Sequence, residues 1–110
     1  MNDRSRETDF RFAAADGYSL AATLRRPAAG QEKGFVLVAS ATAVPRQYYA
    51  RFAGHLAARG FGVMTFDYRG VGGSRPSSLR GFACRMRDWA ALDIPAAVDF
   101  AAREAGAPLL

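Results

Sequence analysis

Three observations along this 110-residue sequence predict an α/β fold on a mixed sheet. Short apolar runs with β-branched members alternate with segments of helical period. A strong turn pair, Asp16-Gly17, separates two strand-like stretches near the start. Gly60 and Gly106 close the two helical segments, in the place a helix C-cap glycine prefers. A tight turn selects antiparallel pairing, whereas strand–helix–strand alternation implies parallel pairing through right-handed crossovers. The expected architecture is an antiparallel N-terminal hairpin followed by parallel strands with helices on the faces.

Phe10-Arg11-Phe12-Ala13 alternates apolar and polar residues, and residues 18–24 resume a strand-like pattern after Asp16-Gly17. Residues 27–33 are a loop by composition. Phe35-Val36-Leu37-Val38-Ala39 is a continuous apolar run, which suits a strand buried on both faces of a parallel sheet. Residues 46–59 have helical period, with Tyr49, Phe52, Ala53, Leu56 and Ala57 on one stripe. Val63-Met64-Thr65-Phe66 is the next strand. Residues 68–81 are rich in Gly, Ser and Pro and form a loop. Residues 85–104 are helical by pattern, with Met86, Trp89, Ala90, Ala97, Val98 and Ala101 as the inner face. Pro95 either kinks this helix or sits in the first turn of a fresh one capped by Asp93. Pro108-Leu109-Leu110 reads as the start of a further strand. One domain over residues 1–110 is expected, with residues 1–8 a polar tail.

Composition narrows the function classes. Half the residues are hydrophobic, enough for a core and too many for a disordered tail. The formal net charge is +5, from 15 basic and 10 acidic residues. Lys33 is the only lysine. The arginines are spread along the chain from Arg4 to Arg103 without forming a block, a pattern of codon bias rather than of nucleic-acid binding, which concentrates cations on one face. Cys84 is the only cysteine, so no intrachain disulfide is expected, and a single His excludes a His-rich metal site. The polar start lacks the apolar run of a secretory leader, and no apolar stretch approaches the length of a membrane span. The expectation is a cytoplasmic chain with no membrane or nucleic-acid partner and no cofactor.

A chemical site in such a sheet lies outside the carboxyl ends of the strands. Two loops qualify, Ser40-Ala41-Thr42-Ala43-Val44-Pro45 and Asp67-Tyr68-Arg69-Gly70-Val71-Gly72-Gly73-Ser74. Gly70-x-Gly72 begins like a dinucleotide fingerprint. Its third glycine position holds Arg75, then Pro76, and no helix opens there to face a pyrophosphate. Gly72-Gly73-Ser74-Arg75-Pro76 falls one glycine short of a nucleophile elbow and lacks the sharp strand-to-helix turn, so Ser74 reads as a turn former. His55 lies off the centre of its helix's stripe beside Arg51 and Arg59, a surface position. Nothing in the spacing brings Cys84 to it as a dyad. Asp67, at a strand end, reads as a residue that fixes its own loop through backbone N–H groups.

With those residues laid out, residues 57–74 resemble the helix, strand and D-x-R-G-x-G-x-S loop of α/β hydrolases. Residues 89–97 are similar to the helix that follows, with Asp93 at the usual acidic position. Val44-Pro45 with Tyr48-Tyr49 and Asp67-Tyr68-Arg69-Gly70 is similar to a bacterial subgroup of predicted serine hydrolases poorly defined by substrate. The likeness runs from the hairpin at Asp16-Gly17 to Leu110 and implies an incomplete α/β-hydrolase-type mixed sheet. It implies a Ser-His-Asp triad and an oxyanion hole, whose jobs are attack, proton transfer and stabilisation of the tetrahedral oxyanion. In the family the nucleophile follows the strand after the second crossover helix. Here that strand starts near Pro108, so the resemblance puts nucleophile, acid and histidine beyond Leu110, and none is assignable. It implies backbone N–H donors to the oxyanion at Thr42, with Ala43 beside it. Ser40-Ala41 stands where many members have His-Gly, which removes the permissive glycine. Asp67, Arg69, Gly70, Gly72 and Ser74 are then the structural residues of the second loop. The implied function is the N-terminal portion of an esterase-like domain, inactive alone, taking a small acyl substrate when complete and free to self-associate through an exposed sheet edge. The alternative is a non-catalytic α/β binding or interaction module.

Overall fold

The computed structural model describes residues 6–27, 32–40, 44–76 and 86–105. The element order is β1 (Arg6–Ala13), β2 (Ser19–Arg26), β3 (Phe35–Val38), α1 (Ala50–Ala58), β4 (Gly62–Phe66), α2 (Met86–Asp88) and α3 (Ile94–Glu104). A 3-10 turn, Arg46–Tyr49, leads into α1. The chain has a mixed sheet with helices, as the alternation predicts.

β1 and β2 pair antiparallel from Arg6↔Arg26 to Ala13↔Ser19. The hairpin closes through hydrogen bonds from Ala14 N to Tyr18 O at 2.8 Å and from Gly17 N to Ala14 O at 2.9 Å. Gly17 has φ +90°, which glycine adopts without a Cβ penalty. β1 begins at Arg6, so residues 6–8, expected in a polar tail, belong to the strand. A polar sequence serves there because this strand end is exposed.

β4 sits between two neighbours, in the order β1-β2-β4-β3. It pairs antiparallel with β2 and parallel with β3. Every residue of β4 is buried, so it is the strand covered on both faces. β3 was expected to be so too. Instead Val36, Leu37 and Val38 are half-buried, because β3 has no described neighbour on its far side.

The register sorts side chains by face. Phe10, Phe12, Leu20, Ala22, Leu24, Met64 and Phe66 share one side with Ala97 and Ala101 of α3. Phe10 stacks on Phe100 at 4.9 Å and Phe12 meets Phe66 edge-on at 6.0 Å. Such pairs add roughly 0.5–1.5 kcal/mol beyond area burial. Arg26 secures the far end of α3, donating to Glu104 O at 2.7 Å. The other side carries Thr23, Arg25, Val63 and Thr65, and α1 lies against β2 and β4 there.

The helices differ from expectation in phase. α1 buries Ala53 and Ala57, but Phe52 is exposed rather than on the inner stripe. Between α2 and α3 the chain makes a π-turn, Trp89–Asp93. A π-turn inserts one residue relative to an α-helix. It rotates Ala90, expected inside, to solvent; within α3 the buried stripe is Ala97 and Ala101 with Ile94 and Phe100 packed beside them, and Val98, also expected inside, falls off that stripe. Pro95 stands at the start of α3, where its missing N–H costs least. Asp93 is itself helical and makes no capping bond, since its carboxylate is engaged elsewhere. Gly60, at φ +98°, follows α1 and donates to Ala57 O at 3.1 Å, as a C-cap glycine should.

Candidate functional site

The carboxyl ends of parallel β3 and β4 open on the same side of the sheet, where the two loops singled out above begin. The first of these is described only at its ends. Ser40 is buried and its Oγ donates to Phe66 O at 3.4 Å. Arg46, just past Pro45, is held from below by Asp67. Thr42 and Ala43, the expected oxyanion donors, lie outside the described residues, as do Cys84 and residues 106–110.

Asp67 organises the second loop. It is fully buried, and its N–H donates to Ala21 O at 2.9 Å. Its Oδ1 accepts from Arg46 N at 2.6 Å, its Oδ2 accepts from Gly73 N at 2.8 Å, and Oδ2 also pairs with Arg46 Nη1. Arg46 Nε donates to Thr23 Oγ1 at 2.9 Å, which donates to Asp9 Oδ1 at 2.7 Å. One carboxylate thus ties together β2, the glycine loop and the start of the α1 segment. The glycines are required by proximity. A Cβ on Gly72, which has φ +50°, would lie 2.7 Å from Asp67 Oδ2, and one on Gly73 would lie 2.8 Å from Ala21 Cβ.

Ser74 is almost fully buried. Its Oγ donates to Asp67 O at 2.6 Å and accepts from Ala21 N at 2.8 Å. Its carbonyl accepts from Tyr18 Oη at 2.6 Å and from Gly70 N at 3.2 Å. The hydroxyl hydrogen is therefore already donated to a backbone carbonyl. His55 is exposed on α1, whereas Ser74 is buried and both hydrogen bonds of its Oγ go to backbone groups.

Arg69 forms the other node. Its side chain is 7% exposed. It donates to both oxygens of Asp16, Nη1 to Oδ2 and Nη2 to Oδ1, each at 2.8 Å. It also donates to Asp93 Oδ1 from Nε at 3.0 Å and Nη2 at 2.8 Å, while its backbone N–H reaches Asp93 Oδ2 at 2.9 Å. Its guanidinium lies 4.8 Å from the Tyr18 ring centroid, and its carbonyl accepts from Trp89 Nε1 at 3.1 Å. Bidentate charge-assisted bonds of this kind are the strong ones. The hydrogen bond from Arg69 holds the Asp16 carboxyl down to about 2, against a smaller opposing effect of burial. The same bond raises Arg69 further above its ordinary range, and burial raises the Tyr68 phenol.

This arrangement braces loops. Gly70-x-Gly72 runs into the short 3-10 turn Gly72–Ser74, which is followed by extended Arg75 rather than by an α-helix. The Gly73 N–H is taken by the Asp67 carboxylate, so a phosphate has no helix N-terminus to meet there. Among the described residues no group of three His, Cys, Asp or Glu side chains could hold a metal ion. No described helix is long and apolar enough to cross a membrane. Sequence reasoning had not singled out Arg46, Arg11 or the pairing of Arg69 with Asp16. Arg11 clamps the hairpin to the loop, donating to Gly73 O at 2.9 Å and Ser19 Oγ at 2.6 Å.

Comparison with solved structures decides the fold. A cold-adapted esterase from an Arctic intertidal metagenomic library matches with a TM-score of 0.69 and 24% identity, over 99% of this chain and 50% of that one. A hypothetical protein from Pseudomonas aeruginosa matches with a TM-score of 0.68 and 27% identity, over 96% of this chain and 33% of that one. This is part of an α/β-hydrolase fold. An esterase of Pyrococcus furiosus matches at a TM-score of 0.65 and 20% identity, over 90% of this chain and 37% of its own. The chain thus spans half or less of the length of these neighbours. No protein-family model and no curated protein matches the sequence.

Proposed function

We propose that this chain is the N-terminal portion of a serine-hydrolase-like domain, of the esterase or related acyl-hydrolase kind, and that it has no acyl-transfer activity alone. The observation that carries the reading is the state of Ser74. The one serine in the glycine loop uses its hydroxyl in both directions, to Asp67 O and from Ala21 N, and neither bond reaches a histidine. A nucleophile needs an adjacent base and a free approach. The partial coverage of esterase chains supports the same reading.

In this reading Asp67, Arg69, Gly70, Gly72 and Ser74 hold the frame, and the N–H groups of Thr42 and Ala43 serve as oxyanion donors once a nucleophile is supplied. A backbone donor does not depend on its side chain, so the loss of His-Gly at Ser40-Ala41 leaves that role open. The substrate of the completed domain is a small acyl ester, no cofactor is needed, and the location is cytoplasmic. The β3 edge, which has no partner strand among the described residues, is where self-association would occur, since an unpaired strand edge templates pairing.

The test is a p-nitrophenyl ester series of short and long acyl groups, offered to the purified chain and to Ser74→Ala. Equal, background hydrolysis by both is expected. Turnover by the parent that the substitution abolishes would overturn the reading and make Ser74 the nucleophile. The alternative, a non-catalytic binding module, draws on the exposed Tyr48 and Phe52. It predicts cooperative thermal unfolding of a soluble chain, where an aggregating or molten chain would count against it.

A further inference from the structure

The arginines look scattered in the sequence, yet α1 gathers some of them. At about 100° per residue, Arg51, Phe52 and His55 of α1 fall within one arc of about 100°, and Tyr48 of the preceding 3-10 turn and Arg59 at the C-cap flank it. That arc lies opposite the buried Ala53 and Ala57. All five side chains are exposed, Tyr48 by 77% and Phe52 by 53%. Lys33 joins them at the C-terminal end, where its side chain lies against Gly60. No Asp or Glu occurs between Lys33 and Phe66, so the face has no acidic side chain of its own. No described carboxylate pairs with Lys33, Arg51 or Arg59. By contrast, the exposed side of α3 mixes signs, with Asp99, Arg103 and Glu104.

We propose that the outer face of α1 docks on an anionic lipid bilayer, with Tyr48 and Phe52 in the interface and Lys33, Arg51, His55 and Arg59 facing lipid phosphates. The charge is complementary to such a surface. The shape fits as well: a convex helix with aromatic and long basic side chains on one side lies in the interface plane, apolar groups inward and cations snorkelling to the headgroups. A single-stranded nucleic acid needs a groove with stacking platforms, which this convex face does not offer. Peripheral docking of this kind needs no spanning helix.

The experiment is liposome flotation of the full chain, without substrate, so that its outcome is independent of the hydrolase reading. Vesicles of phosphatidylcholine alone are compared with vesicles that also contain phosphatidylserine. Flotation only with the anionic vesicles, lost at high salt, is expected. Arg51→Ala and Arg59→Ala should each weaken it about fivefold, the effect of one basic residue near an anionic surface. Phe52→Ser should weaken it while leaving the salt dependence unchanged. Arg103→Ala on α3 should leave it as it was. Circular dichroism of each variant verifies that the fold is retained. No flotation, equal flotation with both vesicles, or an Arg103→Ala loss equal to that of Arg51→Ala would overturn the proposal. So would retention by a single-stranded oligonucleotide of a chain that ignores vesicles, which would assign the face to nucleic acid.

Discussion

The two faces of the sheet are built on different physics. Towards α3 the strands present Phe10, Phe12, Leu20, Met64 and Phe66, and the helix answers with Phe100 and small Ala97 and Ala101. Towards α1 they present Thr23, Arg25 and Thr65 around the fully buried Val63, and the helix answers with small Ala53 and Ala57. The first face is held by apolar area and aromatic packing. The second is held by directional bonds that converge on Asp67 and Arg46. Stability should therefore be concentrated on the first face, and loop position on the second.

The largest expected effect tests the apolar face. Phe66 is fully buried between Phe12 and Tyr68. Phe66→Ala should cost about 4 kcal/mol, the usual range for an aromatic truncated in a core. Urea unfolding measures it, and a loss under 2 kcal/mol would mean that the aromatic cluster is not the main support. Next is the ion pair that joins the loop to the helical segment. Asp93→Ala removes the partner of a buried guanidinium and should cost about 3 kcal/mol by the same measurement, since breaking a buried pair strands the remaining charge. A near-neutral result would show that Asp16 alone satisfies Arg69.

Two substitutions sharpen the polar face. Gly72→Ala places a methyl against the Asp67 carboxylate at a φ of +50°, and about 2 kcal/mol of destabilisation is expected from strain at such a site. Ser40→Ala, which removes only the 3.4 Å hydrogen bond to Phe66 O, should be milder. Thr65→Val should go the other way. Thr65 Oγ1 is buried without a hydrogen-bond partner among the described residues. Replacing it with a methyl of the same shape removes a desolvation cost, and a gain of about 1 kcal/mol in urea unfolding is expected. A loss there would reveal a buried water that bonds the hydroxyl.

The two faces were also unequally legible in the sequence. The sheet is readable because its signals are local: alternation at Phe10-Arg11-Phe12, the Asp16-Gly17 turn, the apolar run Val63-Met64-Thr65-Phe66. The helix phase was not, because a steady α period was carried through a segment that makes a π-turn, and no residue type marks that turn. The polar network was harder still. Arg46 meets Asp67 across 21 positions, Arg69 meets Asp93 across 24 and Asp16 across 53. Charge type alone says nothing about which arginine finds which carboxylate. The family-like D-x-R-G-x-G-x-S pattern pointed to the loop, and folding supplied its partners.

The smallest expected effect separates the network's rim from its buried part. Asp16 is partly exposed, at 42% of its side chain, while Asp93 is fully buried. The Arg69 hydrogen bond lowers the Asp16 carboxyl from 3.8 to about 2 in the folded chain. A group whose folded value lies below its unfolded value stabilises the fold above the unfolded value and loses that contribution as pH falls through the folded one. The contribution of Asp16 is thus fully present at neutral pH, declines below about 4 and is spent near pH 2. Solvent screening at this exposed position keeps it small. Asp16→Asn should therefore be slightly less stable than the parent at pH 7, and the two unfolding curves should converge as pH falls through that window. A difference that stays constant down to pH 2 would mean that the carboxylate's charge is irrelevant and that Asp16 acts through the turn alone, by accepting the Tyr18 N–H at 3.3 Å.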